Sequence, residues 1–276
     1  MAQTGLTLPA YAKINLFLHI LGQRTDGYHN LQTIFQFVDL KDSLTFHTSE
    51  KPGIEITSNV TISNLKDNLI YKAAKSLLPY TQKLTGIHIA VEKNIPMGAG
   101  LGGGSSNAAT TLIALNHLWH CQRTTNQLKE IGINLGADVP IFIHGKTAWA
   151  EGIGEQLQDF NYPEQYALLI FPKLHNTTAK LFSHPLLKKD CIKLNPEQFS
   201  FETTSNVFEH ILKKEHSNLA ELIDSLSQHT PTRLTGTGSC IYCLNENKET
   251  LLSLQKKLDK DLDTLVTKTV NSAPVN

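Results

Sequence analysis

An excess of charge of either sign is missing from this chain, in which 25 lysines and arginines balance 25 aspartates and glutamates. With no global field to attract nucleic acid or an anionic membrane, any anionic ligand must be met by local groups. No apolar run approaches the roughly 18 residues of a membrane-spanning helix. The first residues, MAQTGLTLPAYAK, lack the basic start and apolar core of a secretory leader, so a cytoplasmic protein is expected. Cysteine is scarce and scattered, at Cys121, Cys191, Cys240 and Cys243. The last two form a C-x-x-C inside the apolar run CIYCL with no second ligand pair, which favours buried reduced thiols over a metal or redox site. Internal repeats and low-complexity tracts are absent as well.

What is present is core material. Apolar residues make up 40% of 276, enough for one large domain or two ordinary ones and too much for a disordered chain. KINLFLHIL, TIFQFVDL, SLTFHT and GIHIAVE read as strands, NLIYKAAKSLL as a helix capped by Asp67 or Asn68, and Ser105 to Trp119 as a second helix. TAWAEGIGEQLQDF reads as a strand pair broken by glycine, followed by the interruption Asn161, Tyr162 and Pro163, which puts a boundary near residue 160 and domains at 1–160 and 161–276. Beyond it, YALLIFP is an apolar strand, NPEQFSFETTSNVFEHILK contains a helix, and LAELIDSLSQ is another. RLTGTGSCIYCLN is a glycine turn before a buried strand, and LLSLQKKLDKDLDTL closes the chain as an amphipathic helix. Without strict βαβ alternation, the expected class is α+β.

The most informative segment is PMGAGLGGGSSNAAT, with five glycines between Gly98 and Gly104 running straight into small, helix-compatible residues. Glycine admits positive φ and a close ligand, and the following helix turns its free N–H groups and positive dipole end toward whatever sits there. The pairing makes a cradle for phosphates, which the hydroxyls of Ser105 and Ser106 can help to bind, together with Mg²⁺. A Walker A loop would require a lysine after the glycines, and a Rossmann fingerprint an acidic residue about 20 positions on; this chain offers neither.

PMGAGLGGGSSNAA resembles the phosphate-binding motif of the GHMP kinase superfamily. PAYAKINLFLHI (9–20) and LTGTGSCIYC (234–243) sit where that family has its other motifs. Within it, AKINLFL, RTDGYHNLQTIFQFVDL and LGADVPIFI resemble the branch that phosphorylates 4-diphosphocytidyl-2-C-methyl-D-erythritol on the non-mevalonate route to isoprenoid precursors. The resemblance implies a two-domain GHMP kinase fold, with an N-terminal domain like ribosomal protein S5 domain 2 and a ferredoxin-like C-terminal domain. It implies ATP as phosphoryl donor, Mg²⁺, and a small-molecule acceptor phosphorylated at its 2-hydroxyl, with no nucleic-acid or membrane partner. A homoserine or mevalonate kinase of the same superfamily, or a catalytically silent nucleotide-sensing module, is the alternative.

Site residues follow from the same resemblance. Lys13, by itself a snorkelling strand lysine, and Asp138, by itself a turn or capping aspartate, become the catalytic pair. The ATP site runs from Pro96 and Met97 through Gly98, Ala99, Gly100, Leu101, Gly102, Gly103 and Gly104 to Ser105 and Ser106. Asn68 and Lys93 lie near the adenosine, and Ser106 is a candidate metal ligand beside the ATP phosphates themselves. Asn15 shares a strand face with Lys13 by period-two alternation, so both can enter one cleft. Tyr28 and His29, with Phe182 and Thr178, are implied to hold the cytosine end of the acceptor. Gly236 and Gly238 are implied to close over its phosphates. Thr177 stands where the family often has proline.

Overall fold

The computed structural model describes residues 5–61, 64–81, 86–174 and 177–273. The chain opens with two long antiparallel strands, β1 (Leu6–Gln23) and β2 (His29–Ser49), paired from Leu6 with Phe46 to Gln23 with His29. TIFQFVDL and SLTFHT are thus one strand, and the ladder is irregular at three places: at Tyr11/Ala12 the extra residues, Asp39 and Leu40, are on β2, whereas at Asn15/Leu18 and Ile20/Gly22 the excess is on β1. Such bulges let a strand this long bend around a core without ending. β4 (Gly86–Glu92) pairs with β2, and β3 (Ile54–Ser58), which the sequence reading did not single out, runs parallel to β4. Strands β5 (Ala148–Glu151) and β6 (Gln156–Asp159) form the glycine-broken pair, β5 joining β2.

Four helices lie on this first sheet. α1 (Leu69–Leu77) is capped by Asn68, whose Oδ1 accepts from the Ile70 N–H at 2.8 Å. α2 (Gly103–Leu118) follows the glycine run, α3 (Thr125–Ile133) starts with a Thr124/Gln127 capping box, and α4 (Val139–His144) starts after Asp138. Their apolar faces meet Phe35, Phe37, Leu44 and Phe46 of β2 in one core. Each such side chain removed from water contributes about 1.5–3 kcal/mol.

The second half runs β7 (Tyr166–Phe171), α5 (Thr178–Phe182), α6 (Val207–Glu215), α7 (Ser217–Ser227), β8 (Thr232–Leu234), β9 (Ile241–Asn245), α8 (Lys248–Lys257) and β10 (Asp263–Val270). Its strands lie in the order β10-β7-β9-β8, all neighbours antiparallel, which with the intervening helices is the βαββαβ ferredoxin-like arrangement. The closing segment is a correction to the sequence reading. The helix stops at Lys257, and Asp263–Val270 is a strand rather than part of a continued amphipathic helix. Asp259 accepts the Asp261 N–H and its carbonyl accepts the Leu262 N–H, a local turn that competes with helical continuation.

Through Thr269 and Val270, β10 also pairs with Val38 and Phe37 of β2, joining both halves in one sheet. A further core fills the junction, where Ile14, Leu16 and Phe17 of β1 pack with Trp149, Leu169 and Tyr242. Cys240 lies in this junction core and Cys243 in the core between the second sheet and its helices, with Leu168, Ile211 and Ile241, both as free thiols; burial pushes both upward, Cys243 to about 11. Among the described residues, no helix is long and apolar enough to cross a membrane.

Candidate active site

Two glycine segments, one from each half of the chain, touch backbone to backbone. Gly100 has φ +78°, and a Cβ there would stand 2.3 Å from the Thr235 carbonyl oxygen; one on Gly236 would lie 2.9 Å from that of Gly100. Only glycine permits this approach. The Cys240 N–H donates to the Ala99 carbonyl at 3.2 Å beside it. Gly102, left-handed at φ +72°, is the N-cap of α2 and supplies no capping side chain, and the first helical bond runs from the Ser106 N–H to the Gly102 carbonyl. The N–H groups of Gly103, Gly104 and Ser105 precede that bond and stay available at the positive end of a 16-residue helix.

This helix end opens on a cleft of about 720 Å³. The glycine run from Pro96 to Ser105 forms one wall, with Asn68 and Lys93 near it. Lys13, Asn15 and Asp138 lie on the floor, and Thr178, Phe182 and Gly236 close the far side. Four residues assigned from sequence are not part of this lining. Ser106 is turned inward and only 2% exposed, so Ser105 is the hydroxyl that the helix start shows to the cleft. Gly238 lies behind Gly236, where a Cβ would strike Leu212 and Leu234. Tyr28, at the β1–β2 hairpin tip, is 59% exposed, while His29 is buried at the cleft's edge with its ring 5.4 Å from that of Phe182. Burial, aided by the charge of Lys189, lowers the His29 pKa, and its Nε2 is buried without a partner among the described residues.

The floor is built from β1. Lys13, almost fully buried, donates its main-chain N–H to Leu101 and its ammonium to Asn15 Oδ1 at 2.7 Å and to the Gly100 carbonyl at 3.0 Å. Its Nζ lies 3.4 Å from Asp138 Oδ2. Asp138 occupies the N-cap position of α4 but caps nothing with its side chain, leaving a partly exposed carboxylate aimed at the lysine. Asn15 is held in turn, its Nδ2 donating to Thr33 at 2.9 Å and its N–H to the Thr235 hydroxyl at 3.0 Å. The arrangement suits transfer to a hydroxyl: a carboxylate to orient and deprotonate it, a buried cation beside it, and a dipole end for phosphate.

Lys93 is anchored rather than free. Its ammonium donates to Asp42 and, at 3.0 Å, to Asn107 Oδ1. Asp42 is fully buried and also accepts from Asn107 Nδ2 and from the N–H groups of Asn94 and Ile95, at 2.7–2.8 Å. Sequence reading missed Asp42 and Asn107, whose partners are distant in the chain. It passed over Thr235 and Thr237 although both alternate with the glycines of LTGTGS.

Gly104 offers a clean test of the helix end. A Cβ there meets only Leu69, at 3.6 Å, whereas one on Gly103 would press on Ile95 and Lys93. Gly104→Val therefore keeps the fold while narrowing the cleft. Nucleotide affinity is expected to fall tenfold or more, on the scale of about 1–3 kcal/mol for forcing methyl groups into a fitted space, with Tm unchanged. A calorimetric titration showing wild-type affinity would take the helix start out of nucleotide binding.

Residues 68–146 match the GHMP kinases N terminal domain and residues 186–264 the GHMP kinases C terminal family, and the chain belongs to the GHMP kinases. Among curated relatives, it is 46% identical over 268 residues to the 4-diphosphocytidyl-2-C-methyl-D-erythritol kinase of Shewanella frigidimarina (strain NCIMB 400), covering 97% of this chain and 92% of that one. It is 47% identical to the enzyme of the same name from Francisella tularensis subsp. novicida (strain U112), over 95% of both chains. A solved 4-(cytidine 5'-diphospho)-2C-methyl-D-erythritol kinase matches with a TM-score of 0.82 at 29% identity, over 96% of this chain and 99% of that one. A mevalonate kinase, at TM-score 0.67 and 18% identity over 97% and 100%, shares the fold alone.

Proposed function

We propose that this protein transfers the γ-phosphoryl group of ATP to the 2-hydroxyl of 4-diphosphocytidyl-2-C-methyl-D-erythritol. The observation that carries the reading is the Lys13–Asp138 pair, set beside the free N-terminus of α2 in one cleft. Relatives sharing almost half their residues over nearly the whole chain carry the name of that activity. In this reading Asp138 orients the acceptor hydroxyl and takes its proton, Lys13 offsets charge on the transferring group, and Asn15 fixes the ammonium of Lys13. A loose phosphoryl-transfer transition state asks for this kind of positioning and charge stabilisation more than for a strong base. Asn68 and the strand end at Lys93 border the adenosine, and the segment from Pro96 to Ser105 holds the phosphates.

Mg²⁺ fits as a companion of the nucleotide. Among the described residues no cluster of three His, Cys, Asp or Glu side chains could hold a metal on its own, and the ion would be held by the ATP phosphates, with Ser105 the hydroxyl that the cleft wall offers beside them. The ion would neutralise charge on the transferring phosphoryl group. We read Phe182 and Thr178, with the His29 ring packed behind Phe182 and Tyr28 on the exposed hairpin tip beside them, as the cytosine end. A division of the chain near residue 160 is supported by the family matches lying on either side of it.

The test is ADP release with Mg²⁺ and five acceptors at equal concentration: the cytidine compound, free methylerythritol, mevalonate, homoserine and galactose. Turnover is expected with the first and little with the rest, because remote base-binding energy places the hydroxyl. Equal turnover with mevalonate or homoserine would leave only the superfamily, and tight ATP binding without turnover would point to a sensing module.

A further inference from the structure

The Gly236–Thr237 turn on the acceptor side of the cleft shows an asymmetry in how its peptide groups are used. The buried side chain of Asn206 donates both amide hydrogens to this turn, to the Leu234 carbonyl at 2.9 Å and the Gly236 carbonyl at 2.8 Å. From the same first turn of α6, Glu209 accepts the Leu234 N–H at 3.0 Å. The Thr235 N–H goes to Cys240 and the Gly238 N–H to Thr235. Among the described residues, the N–H groups of Gly236 and Thr237 have no protein acceptor, and both residues line the cleft beside the paired hydroxyls of Thr178 and Thr237, 3.1 Å apart. A carbonyl drawn back and an N–H left forward make a surface that receives an anion.

Asn206 does a second thing. Its Oδ1 accepts the Phe208 N–H at 3.0 Å, capping α6, and Phe208 packs at 4.9 Å on Phe182, the ring that faces His29. The residue before it accepts the Leu18 N–H through its carbonyl, tying the cap to β1 at another cleft residue. One amide therefore sets both the anion-facing turn and the aromatic wall.

We propose that Asn206 is a positioning residue for the acceptor, holding the Gly236–Thr237 turn open toward the acceptor's diphosphate and fixing its distance from the Phe182 wall. The inference rests on the function proposed above. It assigns Asn206 no contact with either substrate and no part in binding ATP, whose loop meets the segment around this turn at Ala99 and Gly100.

Asn206→Ser separates the two tasks in the full-length protein. Serine is an effective N-cap, so α6 is retained, while both donors to the turn are lost. Asn206→Asp does the same with the original volume, as a carboxylate caps well at a helix N-terminus but donates nothing. With ATP and 4-diphosphocytidyl-2-C-methyl-D-erythritol as probes, both variants are expected to lose about 10²-fold in kcat/KM for the acceptor, the scale of a misplacement near 1 Å, while KM for ATP stays at its wild-type value. A merely structural asparagine would lower Tm without dividing the two substrates. Wild-type acceptor kinetics in either folded variant, or KM for ATP rising in step with that for the acceptor, overturns the proposal. Loss of the folded state in both variants also overturns it, by making the residue structural. Failure of the wild-type protein to use the acceptor would tell against the proposed function, whereas an active wild type matched by its variants tells against Asn206 alone.

Discussion

Asp138→Asn is expected to lower kcat by about 10²-fold or more while leaving ATP affinity near its wild-type value, since a general base contributes on that scale and the variant keeps the side chain's shape. The geometry separates these two effects. Asp138 lies 3.4 Å from Lys13 and makes no capping bond to α4, so its carboxylate can be neutralised without unravelling that helix. The nucleotide is assigned to a different surface, the glycine run and the start of α2. Lys13 retains Asn15 and the Gly100 carbonyl in the variant and so is not released from its place. Pre-steady-state measurement of the chemical step, with nucleotide binding measured in parallel, checks both parts. A variant keeping more than half of wild-type turnover would reduce Asp138 to a structural aspartate at a helix start.

What the sequence discloses depends on how far apart the interacting partners are along the chain. Lys13 and Asn15 are two residues apart on a strand, so their shared face follows from local periodicity, and the structure puts one on the other. The glycine run stands out because five glycines leading into and through a helix start have few other uses. Asp138 looked like a capping residue by local rules, and only the family pattern lifted it above that reading. Asp42 and Asn206 left no local trace. Asp42 meets groups 51 to 65 residues away, and Asn206 meets carbonyls 28 and 30 residues on. An aspartate in VDLKDSL or an asparagine in TTSNVF is an ordinary polar residue until the fold closes around it. The terminal strand was obscured differently: LLSLQKKLDKDLDTL keeps helical spacing past Lys257 and overlaps the start of the Thr- and Val-rich run DTLVTKTV, whose strand propensity the pairing with β7 and β2 realises. Tyr28 shows the reverse limit, since a motif named the residue and the hairpin tip leaves it largely exposed and off the cleft wall.

Asp42→Ala is expected to be the most destabilising single change near the site. The carboxylate is fully buried and receives four donors: the Lys93 ammonium, the Asn107 amide and the N–H groups of Asn94 and Ile95. Alanine leaves the largely buried Lys93 with one neutral partner, Asn107, and strands two main-chain donors where the chain turns toward the glycine run. Breaking a buried ion pair from one side costs about 3–5 kcal/mol, far more than the net worth of an intact pair, because the remaining charge is uncompensated. For a chain of this size each kcal/mol corresponds to about 2–4 °C, so a loss of roughly 10 °C in Tm is expected. The double variant Asp42→Ala/Lys93→Met removes the stranded charge and should recover part of that loss, though not the part due to the Asn94 and Ile95 N–H groups. Calorimetric melting of the single and double variants decides the matter. A single variant melting with the wild type would show that water or Asn107 already satisfies Lys93, and a double variant no better than the single would place the whole cost in the main chain.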